Sequence, residues 1–191
     1  NDRNEDGFLD TPMQRNFVGR SEWKLKGDRG IRGEYAATYV NTAAVAGQKT
    51  AFGNAENWGQ MTGRMDSLAG PWSAVTAIER TELSAKTGFV FPDAEWRTIG
   101  TQFNYYNHFH QQRFGKNQYE GTELFFRGNV LYADIFGSTD RNYTLGATYV
   151  YNSFDESFAV NDTLQMAMDR TESVPGVFFE YTWNPNERWS V

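Results

Sequence analysis

The chain has no cysteine, only two histidines and no long apolar run. Without cysteine it forms neither disulfides nor thiolate metal sites, and nothing in it reports the redox state of its compartment. No apolar run approaches the roughly 20 residues that a transmembrane helix needs. Strands can also cross a membrane, and their alternating signal is much weaker. These absences exclude cysteine chemistry and helical spans, and they leave sheet architectures open.

An excess of basic charge is absent too. The 191 residues carry 18 lysines and arginines against 24 acidic residues, which gives a formal net charge of −6. Charges of both signs are mixed along the chain, so there is no basic patch for a phosphate backbone. We therefore expect no nucleic-acid partner. Serine, histidine and acidic residues form no catalytic constellation either, so we expect no enzymatic activity.

Aromatic residues are abundant, at 16% of the chain, and they recur with a period of two. In residues 96–132, one set of alternate positions is apolar: Ile99, Phe103, Tyr105, Leu124, Phe126, Val130 and Tyr132. The other set is polar or charged: Gln102, Asn104, Glu123 and Arg127. Because successive side chains of a strand point to opposite faces, this pattern predicts a hairpin with one apolar and one polar face.

The same alternation recurs along the chain between turns and connections. Short turns are predicted at residues 26–30, 92–94, 134–141 and 184–187, and longer connections at residues 42–77, 109–117 and 154–172. This order predicts an all-β fold with an antiparallel, up-and-down sheet of about seven or eight strands. Short turns at one end and long loops at the other are typical of outer-membrane barrels. On this interpretation residues 42–77 form a long extracellular loop.

A soluble β-sandwich shows similar alternation, but further features favour a transmembrane β-barrel. Aromatic rings concentrate near strand ends, where membrane headgroups would lie: Trp23, Phe91, Tyr132, Tyr143 and Trp183 at the short-turn end, and Tyr39, Tyr105 and Tyr151 at the other. Patterned strands of about ten residues match the length that crosses a bilayer. An open arc would leave unpaired edges in hydrocarbon. The chain also starts without methionine and stops at the beginning of a strand, so we interpret it as a segment of a longer barrel.

The first ten residues, NDRNEDGFLD, place Asp2, Asn4, Asp6 and Asp10 around a glycine. Oxygen-bearing side chains at alternate positions, followed by glycine, suit a hard cation, so these four residues are candidate ligands of Ca²⁺. The match covers only the first half of a calcium loop, since Met13 stands where that loop has glutamate. An acidic surface turn is the alternative, because Asp and Asn favour turns.

Two sets of residues are candidates for contact with a ligand: Tyr106, His108 and His110 on a polar strand face at the long-loop end, and Trp58, Arg64 and Trp72 in the long connection. Two histidines two positions apart can bind a metal or a metal chelate, or they can simply cap a wet strand end. Aromatic rings with a cation suit a large organic ligand, and internal packing of the loop is the alternative.

Six segments follow one another in one order: DRNEDGFLDTPMQRNFVGRSEWK (2–24), AGQ (46–48), KTGFVFP (86–92), HQQRFGKNQYEG (110–121), FDESF (154–158) and ESVPGVFFEYTW (172–183). Together they resemble the barrel of TonB-dependent outer-membrane receptors of the siderophore and cobalamin type, over nearly the whole chain. The resemblance implies a 22-stranded barrel filled by an N-terminal plug. Residues 1–191 would then be part of one barrel domain.

The resemblance also implies an activity, a location and partners. The activity is capture and import of a scarce large solute, such as an iron-siderophore, another metal chelate or cobalamin, driven by the TonB complex through the plug. The location is the outer membrane of a Gram-negative bacterium, as a multi-pass β-barrel. Partners are membrane lipid, the small-molecule solute and a surface lipoprotein. A passive porin-like barrel and a soluble β-sandwich ligand-binding module are the alternatives.

Overall fold

The computed structural model describes residues 2–52, 71–161 and 163–184, and these residues form one antiparallel sheet. Its strands are β1 (Met13–Lys26), β2 (Ile31–Gly47), β3 (Ser73–Phe91), β4 (Ala94–Phe114), β5 (Asn117–Ile135), β6 (Arg141–Val160) and β7 (Leu164–Trp183). Each strand pairs with the next one along the chain. The predicted all-β, up-and-down sheet is therefore confirmed, whereas closure into a 22-stranded barrel stays a prediction.

Helix is nearly absent from the described part of the chain. A single turn of helix, α1 (Lys49–Phe52), follows β2. Among the described residues, no helix has the length and apolar character that a membrane span requires.

Three of the four predicted short turns join strands at one end of the sheet, which we call the turn end, and the fourth, at residues 184–187, lies almost wholly outside the described residues. The three turns connect β1 to β2, β3 to β4 and β5 to β6. Gly30 closes the first of these turns with a φ of 76°, a region that side-chain-bearing residues rarely adopt. A Cβ atom there would also collide with the carbonyl oxygen of Val90. Glycine at this position is therefore required both by the backbone and by the neighbouring strand.

The predicted long connections at residues 109–117 and 154–172 are wrong. β4 and β5 continue to a two-residue turn at Gly115 and Lys116, β6 continues to Val160, and β7 begins at Leu164. In these regions the face that is apolar near the turn end becomes mainly polar, and apolar side chains such as Phe158, Met166 and Met168 fall on the opposite face, so the alternation of the band does not continue. The backbone ladder needs no such alternation, because its hydrogen bonds join main-chain atoms.

Strand also extends into both ends of the predicted loop at residues 42–77. β2 runs to Gly47 and β3 begins at Ser73, so only residues 48–72 connect them. Most of this connection lies outside the described residues. The strands range from 14 residues in β1 to 21 residues in β4. The longest strand therefore has about twice the number of residues that a strand needs to cross a bilayer.

The register places the apolar side chains in continuous rungs across the sheet. One rung near the turn end joins Ile31, Phe89, Ile99, Tyr132, Leu145 and Phe179. On β5 this apolar band runs from Leu124 to Tyr132. Roughly nine residues at about 3.3 Å each, tilted by about 45°, give a height of about 21 Å. That height is close to the apolar belt of about 25 Å on outer-membrane barrels.

Beyond the band, the strands continue as a region that we call the extension, where β4, β5 and β6 carry mainly polar side chains on the face that is apolar near the turn end. The former apolar face there carries Gln111, Gln118, Glu120, Asp155 and Ser157. The extension lies at the end opposite the turn end. On these three strands the sheet is therefore asymmetric, because the face that is apolar near the turn end is mainly polar at the other end.

Very little of the sheet is buried. Among the described residues, the buried hydrophobic side chains are Ala43, Val45, Val75 and Ala94. Val45 and Val75 form a small cluster with Leu9, Met13 and Ala51 at the end opposite the turn end. The apolar band has no layer packed on it among the described residues: Val177 is 87% exposed and Phe179 is 63% exposed.

Candidate functional site

The polar face carries one dense group of interacting side chains, which we call the polar-face cluster. Its members are Arg80, Glu82, Tyr106, His108, His110, Tyr119, Glu123, Phe125, Asn152 and Glu156. They come from β3 to β6 and occupy neighbouring rungs, at and above the upper edge of the apolar band. Side chains two positions apart on a strand share a face, so the ladder itself brings these residues together.

Tyr106 lies at the centre of the cluster. Its ring stacks on Phe125 with centroids 4.8 Å apart and an interplanar angle of 12°. The Arg80 guanidinium carbon lies 4.1 Å from the centroid of the Tyr106 ring, a cation–π distance. The Tyr106 hydroxyl donates a hydrogen bond of 2.9 Å to Glu123 Oε1. Ring, cation and carboxylate therefore hold one another in a fixed arrangement.

Two further contacts complete this network. Asn152 Nδ2 donates to the same Glu123 Oε1 atom at 3.1 Å. Arg80 donates to Glu82 Oε2 at 3.1 Å, so its positive charge is paired. Polar networks of this kind orient their members more strongly than isolated hydrogen bonds do. The carboxylate of Glu123 is consequently fixed by donors from two different strands.

The two histidines continue the cluster away from the turn end, toward the extension. Their ring centroids lie 6.1 Å apart. Buried atoms His108 Nδ1, His110 Nε2 and Asn152 Oδ1 have no hydrogen-bond partner among the described residues. Buried polar atoms in folded proteins usually find a partner. These three atoms are therefore where a bound ligand has most to gain from a hydrogen bond.

Tyr119 borders the histidines from within the extension, above the apolar band. Its ring meets His110 edge-on, with centroids 5.6 Å apart. Its hydroxyl donates a hydrogen bond of 2.8 Å to Glu156 Oε1. Burial and this hydrogen bond to the carboxylate raise the pKa of Tyr119 to about 12. The phenol therefore keeps its proton throughout the physiological pH range.

The structure brings together only part of the residue set that the sequence suggested. Tyr106, His108 and His110 occupy consecutive rungs of the polar face. Trp72 lies elsewhere, 6.3 Å from Phe8 by ring centroids, and its backbone N–H donates to Gln48 Oε1 at 2.8 Å. Trp58 and Arg64 lie outside the described residues. Contact of any of these side chains with a ligand stays a prediction.

Arg80, Tyr119 and Glu156 were missed from the sequence because the strands were ended too early. Arg80 lies just after the predicted connection at residues 42–77, and the strand that carries it already begins at Ser73. Tyr119 and Glu156 fell close to, or within, predicted connections that are in fact paired strand. Continuing the two-residue period past those boundaries would have placed all three on the polar face.

The Asp-rich opening is an internally bonded turn. Asp2 Oδ2 accepts from the backbone of Gly7 at 3.1 Å and from Lys49 Nζ at 3.3 Å. The other side chains bond within the loop: Asn4 to Asp6, Asp6 to the Phe8 N–H, and Asp10 to the Arg3 N–H. Among the described residues, no three His, Cys, Asp or Glu side chains are arranged to hold a metal ion. A Ca²⁺ site here stays a prediction.

No protein-family model matches the chain, and no curated protein matches it either. The function must therefore be inferred from the two faces of the sheet. One face is a broad apolar band, and the other carries paired charges and the polar-face cluster.

Proposed function

We propose that this chain is part of an outer-membrane β-barrel of the TonB-dependent receptor type, which captures and imports a scarce large solute such as a metal chelate or cobalamin. The observation that carries the proposal is the exposed apolar band, on which Val177 is 87% exposed. Leaving so many large apolar side chains in water is unfavourable. Lipid hydrocarbon would cover them, while the paired backbone leaves few polar groups unsatisfied.

The two ends of the sheet support an orientation for the barrel. At the turn end, the apolar band comes within a few residues of the turns. At the other end β4, β5 and β6 continue with mainly polar side chains on the face that is apolar in the band, as expected for a part that projects into water. Outer-membrane barrels project mainly on the extracellular side. We therefore assign the extension to the cell exterior and the turn end to the periplasm.

The opposite face suits a water-filled or plug-filled lumen. Several of its charges form ion pairs: Arg20–Glu22 at 2.6 Å, Lys24–Glu34 at 3.8 Å and Arg80–Glu82 at 3.1 Å. Such exposed pairs contribute little to stability. They do keep the wall wet and close to neutral, which lets a large solute or a plug lie against it.

Capture of the solute is assigned to the polar-face cluster. It lies where the lumen would open to the exterior, and it offers aromatic rings, a carboxylate and the unpartnered atoms of His108 and His110. This combination of rigid aromatic surface with a few convergent polar groups is usual in sites for organic ligands. The family resemblance adds three parts to the proposal. The TonB complex supplies the energy, a plug fills the barrel, and a surface lipoprotein is a partner.

Cell fractionation tests the membrane part of the proposal. The intact protein, produced in a Gram-negative host, is expected in the outer-membrane fraction and should need detergent for extraction. A folded protein recovered from the soluble fraction without detergent would refute it.

Uptake tests the transport part. Accumulation of a labelled siderophore or cobalamin by cells carrying the protein should cease when TonB is deleted from the host. Continued uptake without TonB would instead indicate a passive, porin-like barrel.

A further inference from the structure

An arginine, Arg141, lies on the apolar face close to the turns. Arg141 begins β6 at the turn end and shares the face of Tyr143 and Leu145. It takes part in none of the ion pairs among the described residues. Its guanidinium carbon lies 5.8 Å from the centroid of the Trp183 ring. An arginine at the edge of a lipid-facing band needs a counter-charge or water, because a bare cation is unfavourable beside hydrocarbon.

A neighbouring arginine of the same face shows the contrast. Arg97 Nε donates to Asp134 Oδ2 at 2.8 Å, and the Tyr132 hydroxyl donates to the same oxygen at 2.8 Å. The Asp134 side chain is only 7% exposed, so its carboxylate is shielded, while the Arg97 side chain is 43% exposed. Arg97 thus has an acidic partner within the protein, whereas Arg141 forms no ion pair among the described residues.

An apolar trough leads away from Arg141 along the band. A hollow of about 430 Å³ is lined by Phe136, Arg141, Tyr143, Phe179 and Tyr181. A second hollow of about 560 Å³ adjoins it through Phe179. The small side chain of Ala147 lies between Val130 and Val177 in the second hollow, and this lowers the floor between two ridges.

We propose that Arg141 and this trough hold one phospholipid of the surrounding membrane, with its phosphate at the guanidinium and an acyl chain along the trough. The inference rests on the proposed function, in which the apolar band faces lipid. A guanidinium binds phosphate oxygens through two parallel hydrogen bonds. The rings of Tyr143, Tyr181 and Trp183 suit the headgroup level. A free phosphate ion would use only Arg141 and would leave the trough uncovered, so the occupant is a lipid.

Titration of the intact, delipidated protein with phosphatidylglycerol in detergent, followed by native mass spectrometry, tests the site. Wild type is expected to retain one tightly bound lipid. Arg141→Gln should raise the apparent dissociation constant about fivefold, which corresponds to about 1 kcal/mol for one arginine at a membrane surface. Arg141→Lys should retain most of the affinity. Arg32→Gln, which removes an arginine at the same end but on the polar face, should leave binding unchanged.

Ala147→Phe is a second variant that leaves the charge in place. It fills the floor of the trough, so it should weaken lipid retention. Inorganic phosphate should neither bind tightly to the protein nor compete with the lipid. Unchanged lipid retention in both Arg141→Gln and Ala147→Phe, with the protein still inserted in membranes, would overturn the lipid site and leave the proposed function standing. Displacement of the lipid by inorganic phosphate would also overturn it. A wild-type protein that neither enters membranes nor binds lipid would overturn both.

Discussion

Replacing Val177 with arginine is expected to destabilise the membrane-inserted protein by about 2–4 kcal/mol, the range for a basic side chain facing lipid near the middle of a bilayer. Val177 lies on the apolar band, opposite Ala147 of β6, and its side chain is 87% exposed. Because it is so exposed, the substitution opens no cavity and breaks no packing within the sheet. The expected loss of stability therefore comes only from placing a charge in lipid rather than in water.

The same strand supplies a matched control. Val174 lies three residues earlier on the polar face, opposite Val150, and is 54% exposed. Val174→Arg adds the same charge to the same edge of the strand, and exposed surface substitutions usually change stability by no more than about 0.5 kcal/mol. The difference between the two variants therefore isolates the effect of the face.

The measurement is urea unfolding of the intact protein refolded into phospholipid vesicles, followed by tryptophan fluorescence. Under reversible conditions the free energy of unfolding should fall for Val177→Arg and hold for Val174→Arg. Equal free energies for the two variants would refute the assignment of the band to lipid. A larger loss for Val174→Arg would assign lipid to the other face.

Two further predictions concern the ends of the strands. Gly30→Ala should destabilise the protein by at least about 1–2 kcal/mol in the same urea assay, because it forces a left-handed backbone on alanine, whereas Gly88→Ala, which has open space at its Cβ, should cost less than half as much. Glu156→Gln should lower the pKa of Tyr119 from about 12 toward 10, as measured by ultraviolet difference titration, because it removes the charge that disfavours the phenolate. Since the folded-state pKa of Tyr119 is raised, its contribution to stability should be present below about pH 10 and be lost as the pH rises through about 12. Glu120→Gln, on the opposite face, should leave that titration unchanged, and an unaltered pKa in Glu156→Gln would refute a contribution of the Glu156 charge to the raised pKa of Tyr119.

The sequence predicted the sheet well wherever one face is consistently apolar. Around Phe103 and Phe126 the two-residue period is unambiguous, and the paired strands have the predicted faces. The turn before Ile31 was also found, because its glycines and aspartate carry strong turn chemistry. Prediction failed in the extension, where consecutive glutamines at positions 111 and 112 give no period to read.

The site was predictable only in part for a related reason. The two-residue alternation alone places Tyr106, His108 and His110 on one face. It does not say which residues lie opposite them, because pairing depends on where each turn falls, and a shift of one residue exchanges the faces. Contact of Tyr106 with Arg80 and Glu123 therefore emerged only with the register.

The extension has a consequence for how the outer surface can vary. Had residues 109–117 been a loop, insertions could be accommodated at many points along them. Since they are paired strand up to Gly115 and Lys116, a single inserted residue would slip the register and exchange polar-face and apolar-face side chains all the way to the next bulge or turn. Changes of length should therefore be tolerated only at the hairpin tips. A surface built this way can diversify its composition freely while its outline stays nearly constant.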